Sequence, residues 1–137
     1  MPSFEYIVCS LQSQLFWGAV SEGYDFVDFT NKYMRSKTAG RMDHEWSHLH
    51  SMSPFYILEE LEDEFTILPK KNDDDGEAFV KWAGWLYRYW HYYTGESSAS
   101  IVEQASPELL QRMYYAYHCL DWKDTIDAIK EINKSKE

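Results

Sequence analysis

Between Phe79 and Tyr93, eight of fifteen residues are aromatic: Phe79, Trp82, Trp85, Tyr87, Tyr89, Trp90, Tyr92 and Tyr93. No proline interrupts the run, and Gly95 follows it as a helix stop. At about 100° per residue, the polar Lys81, Arg88 and His91 fall on one narrow arc, with Glu77 and Gly84 beside them. The rest of the circumference is apolar or amphipathic. A helix that is apolar nearly all round is surrounded by protein. The segment from about 77 to 94 is therefore expected to be the central helix of a compact all-α bundle of six to eight helices. Its rings read as core packing. A base-stacking platform would need a matching positive funnel, and this chain carries a net charge of −10.

The remaining punctuation is also helical. Phe4, Ile7, Val8, Leu11, Leu15 and Ala19 recur at three- and four-residue steps, which predicts a first helix with that stripe facing inward. Gly23 separates it from a second helix over about 25–36. Gly40 breaks the pattern again, and a short helix is expected to begin near Asp43. Ser53-Pro54 and Ser106-Pro107 each pair a capping hydroxyl with proline at the first helical position. They predict helices ending near Phe65 and His118. Ser97 or Ser98 starts a short helix to Ala105. Asp121 caps a last one, striped by Trp122, Ile126, Ile129 and Ile132. The 137 residues fit one domain over 1–137, with residues 69–76 as an acidic surface loop.

Charge is unevenly placed. Glu59 to Glu77 holds nine acids against Lys70 and Lys71, a net −7 of the chain's −10. Such a run is ordinarily a solvated face. It is also what a docking surface for a basic protein requires, because long-range attraction speeds encounter. The candidate partner-binding residues are Glu59, Glu60, Asp63, Glu64, Asp73, Asp74 and Asp75. Trp17 joins them: with Tyr6, Ser10 and Ser13 it lies opposite the apolar stripe of the first helix, where it could meet a partner or a second copy. The acidic balance argues against a direct grip on nucleic acid. No run has the length of a membrane span, and the N-terminus lacks a basic n-region. Two cysteines, Cys9 and Cys119, do not make a disulfide framework. A cytoplasmic protein without a cofactor is the simplest expectation.

Two motifs offer chemistry. His44-Glu45-Trp46-Ser47-His48 matches H-E-x-x-H, in which two histidines on one helix face bind zinc and the glutamate activates the bound water. Its context is poor: Asp43 precedes it, the segment is short, and a third ligand would have to be Glu59, Glu60 or Glu64. Arg112 and His118 are separated by five residues. That pair resembles the R-x(4–6)-H signature of the HEPN ribonucleases, in which histidine does acid–base work and arginine holds phosphate. On a continuous helix these residues point about 240° apart, so the pair needs a helix end between them. Arg41 and His48 meet the same loose spacing. Zinc hydrolysis by His44, Glu45 and His48 and RNA cleavage by Arg112 and His118 are thus alternatives to protein binding.

The stretch from Tyr87 to Ser98, YRYWHYYTGESS, followed by MYYAYHCLD from Met113 to Asp121, resembles a small bacterial family of all-helical proteins with no established activity. Its members accompany toxin-like genes, including ADP-ribosyltransferase-type toxins, in mobile or phage-defence loci. The resemblance covers about 79–130. It implies an accessory, immunity or antitoxin-type role, or a toxin, and it leaves the HEWSH motif outside.

Overall fold

The computed structural model describes residues 3–71 and 75–136. Among them are eight α-helices and no strand: α1 (Ser3–Ser21), α2 (Phe26–Met34), α3 (Lys37–Met42), α4 (Pro54–Glu64), α5 (Glu77–Thr94), α6 (Ser98–Gln104), α7 (Pro107–Tyr117) and α8 (Trp122–Lys134). A 3-10 turn over His48–Ser51 lies between α3 and α4. None of these helices is long and apolar enough to cross a membrane.

Local chemistry sets the boundaries. Ser53, Ser97, Ser106 and Asp121 each cap a helix as expected, accepting from the amides of Tyr56, Ser100, Leu109 and Lys123. Gly95 ends α5 at φ 80°, and its amide donates to the His91 carbonyl at 2.8 Å. Near Asp43 the expectation fails. Gly40 sits inside α3, and Asp43 is the residue at which that helix ends. Ser36, capping Ala39, provides the start that sequence reading missed.

The aromatic helix is central. α5 buries Phe79, Val80, Trp82, Ala83, Leu86, Tyr87 and Trp90, and packs on α1, α6, α7 and α8. Its tightest neighbour is α1, and Gly84 is the reason. A Cβ there would lie 2.8 Å from the Gln12 carbonyl oxygen and 3.0 Å from Phe16 Cγ. The two backbones approach because nothing projects from α5 at this point. Phe16 then reaches a ring cluster, edge-on to Phe29 at 5.1 Å and to Tyr33 at 5.6 Å.

α1 is oriented differently from its periodic stripe. Phe4 is 47% exposed and Ile7 61%, although both belong to the predicted inner face. Gln12 and Ser13, polar by type, are buried instead. Gln12 Nε2 donates to the Gly84 carbonyl at 3.0 Å, and Ser13 Oγ donates to the Lys81 carbonyl at 2.9 Å. α1 thus meets α5 along a seam that includes amides and hydroxyls, and leaves part of its apolar stripe outside.

Candidate functional site

The largest concentration of buried polar chemistry lies where α1, α2, α3, α5 and α6 converge. Arg88, placed by the helical wheel on the polar arc of α5, is completely buried. Its Nη1 meets Asp43 Oδ1 at 2.7 Å, Nε donates to Gln12 Oε1 at 3.0 Å, and Nη2 reaches Ser98 Oγ at 3.4 Å. Tyr33 donates its hydroxyl to the same Gln12 oxygen at 2.8 Å. Asp43 also accepts from the Ser98 amide and hydroxyl, at 2.9 and 2.7 Å. Burial works against the charge on Arg88, but the Tyr33 oxygen and the Asp43 carboxylate outweigh it and keep its pKa above the ordinary arginine value. Each polar group here is matched to a partner, as a buried pair requires. The sequence signal was a lone arginine within an aromatic helix; what it lacked was the identity of the partners, which lie 45 and 76 positions away.

Nearby groups are chemically quiet. Burial pushes the Cys9 thiol up to about 12, so it stays protonated at neutral pH and is a poor nucleophile. His50, on the 3-10 turn, holds the Met42 carbonyl through Nε2 at 2.8 Å. Burial lowers its pKa, helped by Arg88 and His91 and opposed by the Met42 bond and Asp43.

The two catalytic candidates are not assembled. HEWSH does not lie on one helix: residues 44–47 form a turn, and His48 opens the 3-10 segment. The shared helix face that would aim His44 and His48 at one ion is therefore missing. His44, Glu45 and His48 are exposed. Among the described residues no group of three or more His, Cys, Asp or Glu is placed to hold a metal. Arg112 and His118 are both exposed on α7 and its cap. His118 is still in right-handed helical geometry, at φ −66° and ψ −18°. No helix end falls between them, so the side chains diverge. His118 stacks on Tyr114 at 4.4 Å and bonds its carbonyl at 2.7 Å.

The acidic candidates divide. Glu64 accepts from the Lys37 and Thr38 amides, each at 2.8 Å, and from the Thr38 hydroxyl, which caps α3. Burial tends to raise its pKa, but the Thr38 hydroxyl, the two amides and Arg41 hold it below the ordinary glutamate value. Glu60 meets Arg41 Nη2 at 3.4 Å. Glu62 accepts the Tyr24 hydroxyl. Asp75 accepts from Gln111 at 3.0 Å. Asp73 and Asp74 lie outside the described residues. Glu59 and Asp63 are exposed and have no hydrogen-bond or ion-pair partner among the described residues. Trp17 is half-buried against the core and lines a cavity with Tyr24 and Phe26; it is not the free ring on a polar face that its helix position predicted.

A different tryptophan is free. Trp46 is 88% exposed, at the tip of the turn between Asp43, anchored by Arg88, and Ser47, which caps the 3-10 segment. It lines an open hollow with Arg41, His44, Glu45, Ser47 and His48. Arg41 also reaches Glu60 on α4, so the Trp46 turn borders that helix. On α4, Phe55, Glu59 and Asp63 recur every four residues and form one exposed stripe.

Comparison with known proteins finds no matching family model, no similar curated protein and no similar solved structure.

Proposed function

We propose that this chain is a protein-binding module that docks a basic partner through the outer stripe of α4 and the Trp46 turn. One observation supports this reading above the others. α4 ends in Glu59, Glu60, Glu62, Asp63 and Glu64 with no base in the helix, although the C-terminal end of a helix disfavours negative charge. Glu60, Glu62 and Glu64 are compensated by their partners; Glu59 and Asp63 are not. Local rules are broken most often where a protein works. A free tryptophan bordering uncompensated carboxylates combines long-range attraction with an anchor for burial. The accessory, immunity or antitoxin-type role implied by the resemblance over 79–130 is a setting in which such a module acts.

The test uses capture from the native lysate at low and high salt, with wild type beside a Trp46→Ala/Glu59→Ser/Asp63→Ser variant. The expected partner is basic, is lost from the variant and is weakened by salt. Once it is identified, its association rate falls about tenfold for the variant at low salt. A partner that binds the variant as fast as wild type overturns the reading.

A further inference from the structure

A second surface site lies along the C-terminal half of α5, where it meets α1 and α8, and it shares no residue with α4 or the Trp46 turn. Tyr89, Tyr92 and Tyr93 stand at helical spacings of three and four, so their rings share one side of α5. With Glu5 of α1 and Lys123 of α8 they line a hollow of about 240 Å³. Aromatic faces carry negative quadrupole charge and attract cations. The protein uses this attraction itself: Lys123 Nζ sits over the Tyr93 ring, 5.9 Å from its centroid.

The surrounding charge favours the same guest. Glu5, Asp121, Asp124 and Asp127 act on Tyr89 and Tyr93, while the cations nearby are Lys123 in the lining and the buried Arg88, which acts on Tyr92 and is already paired with Asp43. Tyr93 donates its hydroxyl to Asp127 at 3.0 Å, which adds electron density to the ring. Burial, with Asp121 and Glu5 behind it, raises the Tyr89 pKa, and the Asp127 bond raises that of Tyr93. One acceptor remains unspent: Glu5 has no ion-pair partner among the described residues.

We propose that this hollow binds an organic cation of the alkylammonium or guanidinium class, with Tyr89, Tyr92 and Tyr93 as its aromatic wall and Glu5 as its counter-charge. Lys123 is the internal competitor for the same ring. The inference does not depend on α4 docking, since the two sites share no residue.

The test titrates the intact protein with tetramethylammonium chloride and with N-acetyl-arginine amide. Amide and ring shifts are followed by NMR against sodium chloride at equal ionic strength. Saturable shifts centred on Glu5, Tyr89, Tyr93 and Lys123 are expected. Lys123→Ala tightens binding by removing the competitor. Tyr93→Leu weakens it about two- to five-fold, the range for an exposed cation–π contact, while Tyr93→Phe keeps the ring and stays near wild type. Binding of the arginine probe assigns the site to a basic side chain of a partner; binding of tetramethylammonium alone assigns it to a free ammonium ligand. Shifts that match sodium chloride for both probes, or a Lys123→Ala variant that binds more weakly, overturn the proposal.

Discussion

The buried cluster around Arg88 and the outer stripe of α4 both contain carboxylates, in opposite circumstances. Asp43 receives the Arg88 guanidinium, the Ser98 amide and the Ser98 hydroxyl. Asp63 receives nothing from the described residues. Partnered charge inside joins helices distant in sequence, and its geometry is set by the fold. Unpartnered charge outside joins nothing and remains available to another molecule. The comparison separates residues that make the structure from residues that the structure merely presents.

The sharpest way to break this contrast is Arg88→Met. It leaves Asp43 with its charge, largely buried and without its cation. Removing one member of such a pair costs about 3–5 kcal/mol, and the lost bond to Gln12 Oε1 adds to it. The urea midpoint should fall accordingly, with the slope unchanged. A loss below about 1 kcal/mol would mean that the network is ornamental and that the two regions differ only in exposure.

Legibility in the sequence follows the same division. α5 was readable because eight rings in fifteen residues leave little of the helix for solvent, although Tyr93 in its last turn is 40% exposed rather than part of the core. The caps of α4, α6, α7 and α8 were readable because a cap is a bond between residues two or three apart. α1 was expected to turn Ser13 outward and Phe4 and Ile7 inward, and Gln12 carried no inward signal because it is polar. The actual partners of Gln12 and Ser13 are carbonyls of α5, 72 and 68 positions on, and no local pattern announces them. Arg88 shows in the sequence only as part of a polar arc for the same reason. HEWSH looked helical because a motif records spacing only; the cap at Ser36 shifted the helix forward so that it ended at Asp43. Trp46 was passed over because it lay inside the motif, and its exposure comes from that displaced turn.

A middle case sharpens the comparison. Glu96 is neither buried in the core nor free. It accepts from Trp90 Nε1 at 3.0 Å, from Gln104 Nε2 and from Lys130 at 2.8 Å, joining α5, α6 and α8. Burial opposes its charge, but Lys130, Trp90, Gln104 and Thr94 outweigh it and bring its pKa down to about 2. An acid with a depressed folded pKa stabilises the fold above its unfolded value of about 4.3, and this contribution is lost as pH falls toward the folded value. Glu96→Gln should therefore cost about 1–3 kcal/mol at pH 7. The gap from wild type should narrow between about pH 4.3 and 2. Thermal denaturation of both proteins across that range checks this, and a gap independent of pH would show that packing, not charge, accounts for the loss.

The smallest effect divides the acids of α4 themselves. Asp63 and Glu64 are adjacent and at the same helix end. Glu64 caps α3 through two amides and a hydroxyl; Asp63 has no partner. Glu64→Ser should cost about 1–2 kcal/mol, the usual value of a helix cap. Asp63→Ser should stay within about 0.5 kcal/mol, in the stabilising direction, since it removes a negative charge from the negative end of the helix dipole. Two melting curves at low salt decide it. If Asp63→Ser destabilises as much as Glu64→Ser, the outer stripe is structural and the docking role loses its main support. If it is neutral or stabilising, the acid at position 63 is explained by something other than the fold of its own chain.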